Sequence, residues 1–352
     1  NEHRKPLILQ GARQVGKTYS ILEFGRIHYE NVAYFNFETN PKLNETFEEK
    51  ISPDYLIPIL SHIAGQTIVK EKTLIVFDEV QLCERALTSL KYFCEDAPDY
   101  HIIVAGSLLG VAVNRAKFSF PVGKVDMKTL YPMDMEEFMI AVGEDELVEQ
   151  IKKCFETNRP MPSALHDAAM QLSRQYLVVG GMPECVMQFV QTGDYILIRH
   201  TQDTILTSYL NDMSKYNNLN EIKKTRLAYD NITVQLSKKN TRFQYKLIKK
   251  GGRASEFENA IEWLCLSGIV SQVYRVEQIK KPLENYRDID AFKIYVSDLG
   301  LLCAKKDLAA NDILYMVEEL NDFKGGMTEN YVNVQLAING YNTYYWESER
   351  GA

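Results

Sequence analysis

The 352-residue sequence predicts an α/β fold built on a parallel sheet, and three stretches carry that expectation. The first is a short apolar run, Leu7 to Leu9, entering Gly11-x-x-x-x-Gly16-Lys17-Thr18 and continuing into the helix-patterned Tyr19 to Phe24. The second is Thr73-Leu74-Ile75-Val76-Phe77-Asp78-Glu79, an apolar run ending in two acids, as suits a parallel strand covered on both faces. The third is His101 to Ser107, another buried-strand pattern with a small polar residue at its end.

Each residue type in the first stretch has a physical reason to be there. The two glycines let the backbone bend so that consecutive N–H groups turn inward onto phosphate oxygens. The helix that follows adds the positive end of its dipole. Lys17 is spaced to reach the β- and γ-phosphates, and the Thr18 hydroxyl to hold Mg²⁺. Gly11, Gln14, Val15, Gly16, Lys17, Thr18 and Tyr19 are the expected nucleotide-binding residues, with ATP and Mg²⁺ as the ligands.

Asp78 stands at the C-terminal end of its strand, where ligands sit in open α/β sheets, and is expected to hold Mg²⁺ with Thr18. Glu79 is expected to orient the attacking water. Ser107 occupies the position that senses the γ-phosphate in P-loop ATPases, so Lys17, Glu79 and Ser107 form the expected catalytic set. A serine-hydrolase reading of Gly106-Ser107-Leu108-Leu109-Gly110 fails on spacing. A kinase reading lacks an acceptor pocket. Arg115 and Lys124 are the candidates for a charge reaching a neighbouring subunit's γ-phosphate, although a solvated side chain is the simpler reading of each.

Between and after these stretches, Val32 to Phe37 reads as a strand, and Asn40 to Gly65 as helical with breaks or starts at Pro53 and Pro58. Leu87 to Cys94 reads as a helix, Leu108 to Arg115 as a short one, and Val122–Val125 with Lys128–Leu130 as a final strand. From Tyr131-Pro132 the strands largely stop. Met133 to Val142, Leu147 to Phe155, His166 to Val179 and Ile196 to Tyr216 are helical, and Gly180-Gly181-Met182-Pro183-Glu184 breaks the run with Pro near a first turn. Three helices, Ile222–Leu236, Gln244–Lys249 and Ala254–Leu266, then precede two strands, Gly268–Tyr274 and Ala291–Val296, which is the order of a winged helix. A helix from Gly326 and the strand Tyr344–Trp346 begin a further α/β unit.

The resulting organisation is 1–130, a P-loop core; 131–220, a helical lid and connector; 221–302, a winged-helix-like domain; and 303–352, the start of another α/β domain. At 45% hydrophobic and 25% charged residues, the chain has apolar material for several cores. A net charge of −7 does not announce a nucleic-acid binder. Within that average, however, Lys238, Lys239, Arg242, Lys246, Lys249, Lys250 and Arg253 run without an acid among them and make DNA a candidate partner. Glu256, Glu258 and Glu262 follow on the next helix and would oppose a phosphate backbone. Six cysteines without a C-x-x-C pair suit reduced thiols in a cytoplasmic protein, and the isolated histidines form no metal-ligand cluster. No apolar run approaches the roughly 20 residues of a membrane span, and no signal peptide is visible. The chain opens at Asn1 without Met and stops at Ser348–Ala352, so both ends read as cut edges of a longer protein.

Six segments together resemble one family: Gly-Ala-Arg-Gln-Val-Gly-Lys-Thr (11–18), Leu-Ile-Val-Phe-Asp-Glu (74–79), Ala-Gly-Ser (105–107), Tyr-Pro-Met-Asp-Met-Glu-Glu-Phe (131–138), Gly-Gly-Met-Pro-Glu (180–184) and Phe-Lys-Ile-Tyr-Val-Ser-Asp-Leu-Gly-Leu-Leu (292–302). They are similar to the bacterial and archaeal ATPases of the AAA-plus superfamily whose C-terminal half, of unknown function, joins a winged helix to a restriction-endonuclease-like fold. The resemblance implies Walker roles for Lys17, Thr18, Asp78 and Glu79, and the sensor role for Ser107. It also implies that Glu329 is the early helical glutamate of the endonuclease-like fold, whose remaining acids and lysine would lie beyond Ala352. The expected function is Mg²⁺-dependent ATP binding and hydrolysis, with DNA a candidate partner, and two rivals stand beside it. One is a slow ATP-gated switch acting on DNA or a protein partner, a homo-oligomer being a separate partner expectation. The other is a DNA-processing enzyme with its nuclease site past residue 352.

Overall fold

Every residue of Thr73–Asp78 is buried, and the first unit of the molecule is built around that strand. The computed structural model describes residues 4–106, 120–215, 219–237 and 242–347. It divides into two units, 1–130 and 131–352.

In the first unit the elements follow as β1 (Leu7–Gln10), α1 (Lys17–His28), β2 (Asn31–Asn36), α2 (Leu43–Glu49), α3 (Pro53–Ala64), β3 (Thr73–Asp78), α4 (Glu84–Asp96), β4 (His101–Ala105) and β5 (Asp126–Thr129). The sheet runs β2-β3-β4-β1-β5, and every described pairing in it is parallel. Alternation along the strands sorts their side chains onto two faces. Ile21 of α1 packs with Leu74, Val76, Ile103 and Ala105 on one face. On the other, Phe35, Phe37 and Phe47 close on Phe77 with ring centroids 5.9, 5.9 and 5.6 Å away, backed by Leu56, Leu60, Leu90 and Phe93. Each fully buried aromatic contributes on the order of 2–3 kcal/mol by leaving water. The register pairs Val104 with both Ile8 and Phe77, so β1, β4 and β3 finish side by side.

Two expectations for this unit change in detail. Pro53 starts α3, but Pro58 lies inside it without ending it. Val122 to Val125 is not strand: Gly123 takes the left-handed φ of 74° and Lys124 N–H closes a turn on the Pro121 carbonyl at 3.0 Å. An extended run cannot pass through that turn, so β5 starts only at Asp126. The helix expected over Leu108–Arg115 lies outside the described residues.

The second unit continues with helices α5 (Met135–Ala141), α6 (Asp145–Glu156), α7 (Ser163–Val179), α8 (Pro183–Thr192), α9 (Tyr195–Lys215), α10 (Leu219–Ser237), α11 (Tyr245–Ile248) and α12 (Ala254–Leu266). Strands β6 (Val270–Val276) and β7 (Arg287–Val296) pair antiparallel. Then come α13 (Leu299–Lys305), α14 (Ala310–Leu314), α15 (Asn321–Ile338) and β8 (Tyr344–Tyr345). The tail strand, expected to open a unit of its own, pairs parallel with β6 instead, Tyr274 against Tyr344, and extends the ribbon to a three-stranded sheet.

Three segments singled out in the sequence meet at one buried carboxylate in this unit. Asp298 is 2% exposed, caps α13 by accepting Leu301 N–H at 2.8 Å, and accepts Gly181 N–H at 2.7 Å. Gly180, at φ 76°, has no room for a side chain, because a Cβ there would fall 2.3 Å from Asp298 Oδ1. The 131–138 segment joins through Met133, whose N–H donates to the Gly181 carbonyl at 2.7 Å and whose carbonyl accepts Tyr176 OH at 2.7 Å.

Burial pushes the Asp298 carboxyl up from 3.8 to about 6, against backbone N–H groups of Leu301, Gly181, Gly300 and Met182 that pull it down. The folded state therefore holds this proton more tightly than the unfolded chain. Its contribution to stability is fully present below pH 3.8 and is lost as pH rises through about 6. Both tryptophans, Trp263 and Trp346, lie in the second unit, so urea unfolding followed by their fluorescence reports on it. From pH 7 to pH 5 the wild type should gain roughly 1 kcal/mol relative to Asp298→Asn, which cannot titrate. Equal pH slopes in the two proteins would contradict the assignment.

Candidate functional site

The turn between β1 and α1 is forced by backbone conformations that few residues tolerate. Gly11 sits at φ 146°, and a Cβ there would lie 2.1 Å from the Leu130 carbonyl oxygen. Gln14 (φ 65°) and Gly16 (φ 92°) are both left-handed, a pattern that aims successive N–H groups into one concavity. Gly16 also begins α1 with no side-chain cap, leaving the first helical N–H groups free of a side-chain acceptor. Val15 is buried beneath the turn. Tyr19 follows on the first turn of α1 and is 75% exposed.

Lys17 is 8% exposed and its ammonium donates to the loop's own carbonyls, Gly11 at 3.0 Å and Ala12 at 2.7 Å. Burial pulls it down to about 8, although the carboxylates of Glu79 and Asp78 act in the other direction. The strand ends bring in those acids. Thr18 Oγ1 donates to Asp78 Oδ2 at 2.8 Å, and Glu79 N–H donates to Asp78 Oδ1 at 2.9 Å. Glu79 itself is left-handed at φ 53°, its carboxyl pushed above the ordinary glutamate range by burial and pulled back by the Gln81 amide that donates to it. The hydroxyl of Thr18 and the carboxylate of Asp78 are the hard oxygen donors that Mg²⁺ takes, few enough to leave places for water and phosphate. Among the described residues no group of three or more His, Cys, Asp or Glu side chains is arranged to hold a metal.

Two contacts of this site are not visible in the sequence. Tyr34 OH donates to Asp78 Oδ2 at 2.7 Å, the oxygen Thr18 also uses, and Asn36 Nδ2 donates to Tyr34 OH at 3.2 Å. Alternation puts Tyr34 and Asn36 on one face of β2, but only the pairing of β2 with β3, in which Asn36 faces Asp78, brings them to that carboxylate. The second contact is Gln81 on Glu79.

The remaining expectations divide. Ser107 and Arg115 lie outside the described residues, as do Lys238 and Lys239. Lys124 is engaged locally in an ion pair with Glu95 at 2.9 Å. In the basic stretch, Lys246 lies within the four-residue α11, Arg242, Lys250 and Arg253 flank it in sequence, and Lys249 pairs with Glu256 at 2.9 Å. Glu329 of α15 is held by Lys293 Nζ at 2.9 Å and by Tyr295 OH at 3.1 Å. All six cysteines are free, and no helix among the described residues is long and apolar enough to cross a membrane.

Residues 3–139 match a family described as an AAA domain, and residues 170–312 match a domain of unknown function (DUF8612). No curated protein matches the chain in sequence. Among solved structures, the Walker-type ATPase paby2304 of Pyrococcus abyssi aligns with a TM-score of 0.50 at 13% identity, over 87% of this chain and 92% of that one. The ORC2 protein of Aeropyrum pernix aligns with a TM-score of 0.38 at 12% identity, over 94% of this chain and 88% of that one. At such identity the likeness to the Pyrococcus protein is one of fold.

The close approach at Gly11 gives a direct test of the loop. Gly11→Ala should lower the thermal midpoint followed by far-UV circular dichroism by roughly 5 °C or more, as steric conflict with backbone does. Gly325→Ala, inside α15 with nothing within 4 Å of its Cβ, should leave the midpoint unchanged or raise it slightly. An unaltered melt for Gly11→Ala would contradict the conformation assigned to the loop.

Proposed function

We propose that this chain, an AAA-plus-type P-loop ATPase with a separate C-terminal domain of unknown function, binds ATP with Mg²⁺ in its first unit and hydrolyses it. The observation that carries the reading is the meeting of Thr18 with Asp78 at 2.8 Å, beside a buried Lys17 and with Glu79 next in line. Backbone N–H groups of Gln14 to Thr18 hold the phosphates, and Lys17 leaves its two carbonyl acceptors for the β- and γ-phosphates. Thr18 and Asp78 hold Mg²⁺, which neutralises developing phosphate charge when bound, and Tyr34 keeps the Asp78 carboxylate in place. Glu79 orients the attacking water. Ser107 keeps the sensor role that its sequence position implies. Most of the rate enhancement in phosphoryl transfer is positioning and electrostatics, which is what this set supplies.

The second unit bears on coupling. Its order α10, α11, α12, β6, β7 is that of a winged helix, and the basic residues around α11 are the DNA-facing candidates. Lys249 is already paired with Glu256, which weakens that face. The nuclease reading turns on acids and a lysine outside this sequence; within it, Glu329 is engaged by Lys293 and Tyr295. The cytoplasm is the compartment that six free cysteines suit best.

Steady-state hydrolysis with Mg²⁺, with and without duplex DNA, tests the reading. Lys17→Ala should lose nucleotide binding, and Glu79→Gln should bind ATP yet turn over roughly 100-fold more slowly or worse. Wild-type rates in Glu79→Gln would remove Glu79 from its role. Stimulation by DNA that Lys246→Glu abolishes would make this a DNA-coupled ATPase, and slow turnover indifferent to DNA would favour a switch acting on a protein partner.

A further inference from the structure

We propose that Gln81 is a positioning residue for hydrolysis, its side-chain amide fixing the Glu79 carboxylate in the orientation that meets the attacking water. The inference rests on the hydrolytic reading above and concerns a residue to which the P-loop and acid motifs give no role.

Three observations support it. Gln81 Nε2 donates to Glu79 Oε2, so the amide grips the same carboxylate that is assigned to water. The chain between them is a single tight turn. Glu79 is left-handed at φ 53° and ψ 38°, Leu82 N–H closes on the Glu79 carbonyl at 3.1 Å, and Cys83 N–H closes on the Val80 carbonyl at 2.9 Å. Val80 is fully buried, and Asn44 Nδ2 holds the Leu82 carbonyl at 3.4 Å, so the turn is anchored from both sides. Residues 79 and 81 are thereby brought together by backbone rather than by chance rotamers.

The third observation separates a positioning role from a structural one. Gln81 Oε1 is buried and has no hydrogen-bond partner among the described residues. An unmet buried carbonyl costs stability, and an unbranched apolar side chain of similar length would fill the same space without that cost. The fold therefore gains little from Gln81, while Glu79 gains a fixed donor. A glutamate without it would swing among rotamers, and a catalytic group displaced by about 1 Å loses much of its rate advantage.

The test is Gln81→Met, which keeps length and removes the amide, made in the wild type and in the Glu79→Gln background. In the wild type, kcat should fall about tenfold while KM for ATP and the Kd of a fluorescent ATP analogue stay within twofold. The melting temperature should be unchanged or higher. In the Glu79→Gln background the second substitution should cost no further rate, because the group it positions is already disabled. A kcat within twofold of wild type, a further loss in the Glu79→Gln background, or a parallel fall in affinity and melting temperature would each overturn the proposal. Absence of ATP turnover in the wild type with Mg²⁺ would remove the hydrolytic reading and this inference with it, an outcome distinct from an active wild type matched by Gln81→Met.

Discussion

The hydrogen bond from Thr18 Oγ1 to Asp78 Oδ2 joins the start of α1 to the end of β3, and the candidate site depends on it. It exists because the sheet is parallel and its register aligns the C-terminal ends of β1, β4 and β3. Parallel strands put every phosphate-facing turn and every strand-terminal acid on one edge, and the helices covering both faces make the strands uniformly apolar. The aromatic cluster around Phe77 has the same consequence from below. It fixes the strand one residue before Asp78, so a 5%-exposed carboxylate is presented at the edge rather than lost in the core.

The second unit is organised by a different constraint, a buried anion surrounded by backbone donors. Asp298 ties the Gly180-Gly181 break to the start of α13, and Met133 ties the 131–138 segment to the same point. Neither glycine can carry a side chain there, which explains why an otherwise helical region contains two in succession. The cost of burying the charge exceeds what the N–H groups return, so the carboxyl is weakened toward neutrality. In the sequence these segments carry a family resemblance and no chemistry of their own. In the structure they are the joint of a domain.

What the sequence disclosed follows from where its chemistry is local. A phosphate loop must have glycines at positions that need left-handed or close-approach backbone, and Gly11 and Gly16 stand in such places. The apolar run into Asp78-Glu79 is likewise self-contained, as are most helices of the second unit. Contacts made by register are not. Tyr34 reaches Asp78 only because β2 lies beside β3, and Gln81 reaches Glu79 only through a turn whose left-handed glutamate no propensity announces. Strand partners were equally hidden: β8 has the pattern of a strand, but nothing in the Tyr344-Tyr345 pair says that it adds to the ribbon of β6 and β7. In the basic run from Lys238 the charges read plainly, as do the glutamates of the next helix, but the pairing of Glu256 with Lys249 shows only in the structure.

The central claim is that Thr18 and Asp78 form one magnesium-dependent nucleotide site. Equilibrium calorimetry of ATP binding, with and without Mg²⁺, in the wild type and in Asp78→Asn, addresses it most directly. The account predicts that Mg²⁺ strengthens binding at least about tenfold in the wild type and leaves Asp78→Asn nearly unaffected. Failure of the wild type to bind ATP, or an equal Mg²⁺ effect in both proteins, would contradict it.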